Sequence, residues 1–292
     1  MAELLRLSHV TRHFHPRPSF TIPAVTDVSL TLHTGEILGL AGESGSGKST
    51  LARLITGLDS LTSGEIYYKN TLLSAQLPHP LRQDFRRSVQ IIFQDAASSL
   101  NPRMTIRQII EEPMRIHHLY HSRTEYARKV DELLEQVGLE NRFSYCLPDE
   151  LSGGQRQRVN IARCLGLQPK LILADEPTAS LDVSMQAQII NLFRQLQQQQ
   201  HFAFLFITHD LSLLRVISDR IAVMYAGRLV ELAPVEALFN APQHPYTQAL
   251  LSAIPHPDPV YEHQRTVTIY PGLPAQKDFH WHEKKHGHFV LE

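Results

Sequence analysis

An α/β fold built on a parallel sheet is the class this sequence predicts, with an antiparallel β-rich subdomain near the start and a helical subdomain inserted in the middle. Three observations carry it. Ile37-Leu38-Gly39-Leu40-Ala41 and Leu171-Ile172-Leu173-Ala174 are short, wholly apolar runs, the pattern of central parallel strands covered on both faces. Gly42-Glu43-Ser44-Gly45-Ser46-Gly47-Lys48-Ser49-Thr50 follows the first of them and leads into a helical run to Ile55. It fits G-x-x-x-x-G-K-[ST], in which inward-pointing backbone N–H groups and the lysine ammonium cradle phosphates. Third, the pattern turns helical from about residue 96 to 165.

Taken in order, Leu4–Leu7 and Val25–Leu32 alternate apolar and polar side chains, the period of half-buried antiparallel strands. His15-Pro16-Arg17-Pro18 between them predicts a loop. Phe14 precedes it and reads either as a ring that stacks on a flat base or as a core aromatic at a strand edge. Gly57-Leu58 ends the helix after the glycine loop, and Ser63–Tyr68 predicts a hairpin strand. The strand Ser88–Phe93 delivers Gln94 and Asp95 at its end, where open parallel sheets hold ligand-contacting groups. Arg82, Arg86 and Arg87, just before it, read as a solvated helix face rather than a binding patch.

Within the insertion, Ile106, Ile109, Ile110 and Met114 share one face around Pro113, and Ser122-Arg123-Thr124-Glu125 is a capping box opening a helix that Gly138 closes. Leu151-Ser152-Gly153-Gly154-Gln155 then precedes a helical run from Arg156 to Leu167. Leu171–Ala174 ends in the acidic pair Asp175-Glu176. The helix after Asp182 buries Ile189, Leu192, Phe193 and Leu196, and Gln197–Gln200 reads as a polar turn at its end. Phe202–Ile207 is a further buried strand ending in Thr208-His209-Asp210, and Arg220–Met224 with Arg228–Leu232 predicts a hairpin turned at Ala226-Gly227. The domain division expected is a cassette over 1–240, with the insertion at about 96–165, followed by a C-terminal extension over 241–292 that ends in a histidine-rich tail.

Bulk properties narrow the function. With 28 Lys and Arg against 29 Asp and Glu, the net charge is -1, so no basic field supports a nucleic-acid partner. The two cysteines, Cys146 and Cys164, are too few for a disulfide framework or a thiolate zinc site and suit a reducing compartment. No run of eighteen apolar residues and no signal-peptide core is present in the sequence, which predicts a soluble chain that reaches a membrane through partners.

The constellation goes beyond a generic phosphate-binding loop. With Gln94, the 151–155 segment, Asp175-Glu176, Ser180-Leu181-Asp182 and His209 following in order, the chain resembles the ATP-binding subunit of an ATP-binding cassette (ABC) transporter over residues 3–255. That resemblance implies ATP and Mg²⁺ as the bound species. Gly42, Ser44, Gly45, Gly47, Lys48, Ser49 and Thr50 would hold the phosphates by fixed dipoles and one ammonium. Ser49, Gln94 and Asp175 would serve the metal, with Glu176 as general base and His209 and Gln94 beside it in catalysis. Ser152, Gly153, Gly154, Gln155 and Asp182 form, in the family, a second anion site that meets the ATP held by the opposite subunit. Two ATP molecules are thereby sandwiched in a head-to-tail dimer.

His244-Pro245-Tyr246-Thr247 and the residues to Pro255 resemble the segment of dipeptide, oligopeptide and nickel importer ATPases. The implied partners are a second, non-identical ATPase subunit, two transmembrane permeases and, indirectly, a periplasmic or extracellular substrate-binding protein, at the cytoplasmic face of the bacterial inner membrane. No cysteine follows Cys164, so the tail offers no ligands for an iron–sulfur cluster. His280-Trp281-His282 and His286-Gly287-His288 have spacings that bind nickel, zinc or copper; the competing reading is a solvated, flexible tail. The histidines keep a nickel or metal-chelate importer as an alternative to a peptide importer. A soluble cassette ATPase acting on ribosomes or DNA, or a P-loop kinase or GTPase, fits less of the pattern.

Overall fold

The first elements are β1 (Glu3–Arg17), β2 (Phe20–His33), β3 (Ile37–Ala41), α1 (Lys48–Ile55), β4 (Ser63–Tyr68) and β5 (Thr71–Leu72). The structure, a computed structural model, describes residues 2–17, 20–74, 76–95, 98–255, 266–273, 278–285 and 287–292. β1 runs on through His15, Pro16 and Arg17, where the prolines predict a loop. The reason lies in the pairing. The ladder of β1 with β4 ends at Thr11 opposite Ser63, so beyond it, among the described residues, β1 has strand pairing on its β2 side alone, and a proline is tolerated where one side of a strand is free of a ladder.

Next come α2 (His79–Ser88), β6 (Val89–Ile92), α3 (Ile106–Ile116), α4 (Arg123–Gln136), two short 3₁₀ turns and α5 (Gly153–Leu165). They are followed by β7 (Leu171–Asp175), α6 (Val183–Gln200), β8 (Ala203–Thr208), α7 (Leu211–Ile217), β9 (Arg220–Tyr225) and β10 (Arg228–Pro234). α8 (Val235–Asn240), α9 (Pro245–Ser252), β11 (Trp281–Lys285) and β12 (His288–Leu291) complete the chain. These elements fall into two compact units, one of Met1–Ala2, His33–Gly35 and Leu73–Leu205, the other of Glu3–Leu32, Glu36–Leu72 and Phe206–Glu292.

The first unit is mainly helical around a parallel pair. β6 and β7 run side by side with Ile92 opposite Ala174, and all five residues of β7 are buried. α3 buries the predicted face, Ile106, Ile109, Ile110 and Met114, and its helix continues through Pro113. The capping box of α4 forms as its sequence predicts: Ser122 Oγ accepts from Glu125 N at 3.2 Å, and Glu125 Oε2 accepts from Ser122 N at 3.1 Å. Gln197–Gln200, read as a turn, instead belong to α6. Gln197 is buried and its Nε2 donates to Gly35 O at 2.7 Å, so a satisfied amide extends the helix where a polar run suggests its end. Arg82 and Arg87, read as solvated, each donate to a backbone carbonyl, of Leu77 and Leu167 respectively.

The second unit holds two β layers. β2, β1, β4 and β5 form a sheet in that order. β3 pairs parallel with β9, Leu38 opposite Arg220 through Ala41 opposite Val223, and β9 turns into β10 at Ala226 and Gly227. β12 then pairs with β10, and β11 with β12. The flexible-tail reading is therefore corrected: the last residues are a hairpin added to a sheet. Phe289-Val290-Leu291 is a short apolar run of the kind a buried strand uses, with Val290 fully buried and Leu291 nearly so; the histidines around it mask this. Among the described residues no helix is long and apolar enough to cross a membrane.

Candidate nucleotide-binding site

In the second unit the glycine loop leaves the buried β3 and enters α1, as the sequence orders it. Two glycines are fixed by close backbone approach. At Gly42 (φ +151°) a Cβ would lie 2.2 Å from Met224 O, and at Gly47 (φ +107°) one would lie 2.2 Å from Ala24 O, so any side chain displaces the loop from the backbone behind it. The Ser46 carbonyl accepts from Gly227 N at 2.9 Å. Lys48 is buried, and its ammonium donates to the carbonyls of Gly42 and Glu43, both at 2.8 Å, with Ser46 Oγ at 3.5 Å. Gly47, the N-cap of α1, has no side chain to engage the first helical amides. Ammonium, bare amides and a Cβ-free cradle are the donor set a chain of phosphates requires. Ser44, Gly45 and Ser49 are exposed at this mouth and Thr50 is half-buried.

In the first unit the parallel register places two predicted residues together. Gln94 follows Ile92 by two residues and Glu176 follows Ala174 by two, and those are the paired positions. Gln94 Nε2 accordingly donates to Glu176 Oε2 at 3.2 Å. Glu176 has φ +46°, an unfavourable backbone for a residue with a Cβ, of the kind that concentrates at functional sites. Asp175, one residue earlier, is buried. Ser152 caps α5, accepting from Gln155 N at 3.3 Å, while Gln155 Oε1 accepts from Ser152 N at 2.8 Å. A Cβ on Gly153 would meet Leu181 Cδ2 at 3.6 Å, and one on Gly154 would meet Met185 Cε at 1.9 Å, so the segment around Asp182 lies over these glycines. Asp182 itself caps α6, its Oδ1 accepting from Met185 N at 2.9 Å.

The remaining predicted residues are placed less tellingly. His209 is exposed just past β8, and the next residue, Asp210, caps α7 through Ser212 N at 2.8 Å. Phe14 is half-buried with the Arg12 guanidinium 4.5 Å from its ring centre, so one face is engaged by a cation rather than by core. Of the tail histidines, His288 is buried and lies 2.6 Å from the buried Glu231 carboxylate, His280 and His282 are exposed, and His286 lies outside the described residues. Among the described residues no group of three or more His, Cys, Asp or Glu is positioned to hold a metal ion. Burial pushes the Cys164 thiol up to about 11, which makes it unreactive.

Two residues that sequence patterns do not single out complete the second unit's loop surroundings. Glu231, fully buried, accepts from the backbone N–H groups of Gln243 at 2.8 Å and His244 at 3.0 Å. Tyr246 then presents its hydroxyl to Glu43 N at 3.2 Å. The helix start is legible in His244-Pro245; its partner on the loop, 203 positions away, is not.

Fold and site define the class of P-loop nucleoside triphosphatases. Residues 25–179 match the family described as ABC transporter, and residues 230–278 match the one described as oligopeptide/dipeptide transporter, C-terminal region. The oligopeptide transport ATP-binding protein OppF of Bacillus subtilis (strain 168) is 47% identical over 293 aligned residues, covering 99% of this chain and 96% of its own. OppF of Escherichia coli (strain K12) is 45% identical, covering 93% and 84%. The dimeric structure of a post-hydrolysis state of the ATP-binding cassette MJ0796, bound to ADP and Pi, superposes with a TM-score of 0.72 at 32% identity, over 80% of this chain and 99% of that one. The chain belongs to the ABC transporter family, as one of its ATPases.

Proposed function

We propose that this chain is the ATP-hydrolysing subunit of a bacterial importer of dipeptides or oligopeptides. One observation supports the substrate class: residues 230–278 match the family described as oligopeptide/dipeptide transporter, C-terminal region, and an oligopeptide transport protein matches nearly the whole chain. The division into a cassette over 1–240 and an extension over 241–292 follows the same reading. Its partners are a second, non-identical ATPase subunit and two permeases, which hold the chain at the cytoplasmic face of the membrane, and indirectly a substrate-binding protein outside.

The residues divide the work by their chemistry. Lys48 and the amides from Gly42 to Thr50 bind the phosphates, and Phe14 stacks on the base. Ser49, Asp175 and Gln94 would hold Mg²⁺, which would offset charge developing on the phosphoryl oxygens. Glu176 takes the proton of the water whose oxygen attacks the terminal phosphorus as the bond to ADP breaks. Gln94, through its hydrogen bond, keeps that carboxylate aimed, and His209 orders the terminal phosphate. The capped helix start at Ser152–Gln155, with Asp182, faces the ATP of the partner subunit, so each chain supplies half of two sites.

Uptake assays test the substrate class. In a strain lacking this subunit, loss of di- and oligopeptide uptake with unchanged nickel uptake is expected, and the reverse pattern would assign the chain to a nickel importer instead.

A further inference from the structure

We propose that Tyr246, in the C-terminal segment, is a positioning residue for the phosphate-binding loop and sets its nucleotide affinity. The inference rests on the reading that this loop binds nucleotide. It starts from one peptide unit. The N–H of Glu43 and the C=O of Gly42 belong to the same rigid plane and point in opposite directions. On one side of that plane Tyr246 Oη accepts from Glu43 N at 3.2 Å, and on the other Gly42 O accepts from Lys48 Nζ at 2.8 Å. Fixing the first bond therefore fixes where the lysine ammonium is held.

The hydroxyl is itself held from behind, independently of the loop. Tyr246 is 2% exposed, and its ring packs on Tyr225 at 4.4 Å and on Tyr270 at 5.5 Å between centroids. His244 Nδ1 accepts from Tyr246 N at 3.1 Å and caps α9. Behind that, the buried Glu231 holds the backbone of Gln243 and His244 and meets His288 of the terminal hairpin. Burial also keeps the phenol protonated, pushing it up to about 12, so it is neutral at every pH of interest. The loop thus receives a preset acceptor, and the nucleotide does not have to order that peptide itself.

Removing one such hydrogen bond without disturbing the ring should weaken binding by about 2- to 10-fold, the range of a neutral bond's net worth. The test uses the full-length chain, its Tyr246→Phe variant and Tyr225→Phe, which removes a hydroxyl from the same aromatic cluster at the ring packed on Tyr246. Dissociation constants for MgATP and MgADP are measured by calorimetry, with steady-state kinetics and Tm without nucleotide alongside. Tyr246→Phe is expected to raise Kd and KM with kcat and Tm near the parent values, while Tyr225→Phe leaves Kd unchanged. An unchanged Kd in Tyr246→Phe overturns the proposal, as does an equal rise in Tyr225→Phe. Amide hydrogen exchange at Glu43 in the unaltered chain gives a reading that needs no variant: protection is expected, and exchange at the rate of an exposed loop amide overturns it. Failure of the unaltered chain to bind either nucleotide would instead sink the nucleotide-binding reading on which the proposal stands.

Discussion

Glu176 shows how one residue's geometry is set by its surroundings. Its left-handed backbone (φ +46°) turns the chain out of β7 at once, and Gln94 holds one carboxylate oxygen at 3.2 Å. The strain is tolerated because the preceding strand is wholly buried and fixes the direction of exit. Replacing the carboxylate by an amide keeps size and hydrogen-bonding capacity but removes the base. Glu176→Gln should therefore lower kcat for ATP hydrolysis by about 100-fold or more and leave the Kd for MgATP near that of the parent. Single-turnover hydrolysis and calorimetric titration check the two halves separately, and a variant that still turns over at the parent rate removes Glu176 from the mechanism.

Among the elements, α5 depends most visibly on how it begins. Ser152 and Gln155 satisfy each other's backbone donors, a reciprocal capping box. Ser152→Ala should cost about 1 kcal/mol of stability, read as a lower denaturation midpoint in urea, and should also depress ATPase activity if this helix start meets a nucleotide. A midpoint equal to the parent's would show the cap to be dispensable. The helical run read from Arg156 begins at Gly153 instead, whereas the capping box of Ser122 and Glu125 was legible because capping is local in sequence. β3, β7 and the face of α3 were legible too, since burial on both faces, or on one, writes a period into the chain. β1 past Thr11, the last turn of α6 and the terminal hairpin were not. Each depends on residues distant in sequence: the end of the β4 ladder at Ser63 for β1, the Gly35 carbonyl for Gln197, and β10 for β12.

At the scale of the whole molecule, folding stability gathers the contributions of buried ionisable groups, and His244 offers one whose sign can be worked out. It is 4% exposed and caps α9 by accepting Tyr246 N–H on Nδ1, which requires that nitrogen to be unprotonated. Burial lowers its pKa from the ordinary 6.5, with the charges of Glu231 and Glu292 pulling partly the other way. Between the lowered folded value and 6.5 the unfolded chain binds more protons than the folded one, so stability rises with pH across that window. The contribution is complete above 6.5 and is lost as pH falls through the folded value. His244→Asn keeps an N-cap acceptor and removes the titration. Between about pH 7.5 and about pH 5.5, where histidine changes charge, the parent's Tm should fall by a few degrees more than the variant's, and above the window the two curves should run parallel. Identical pH profiles for the two chains would show that His244 does not link protonation to folding.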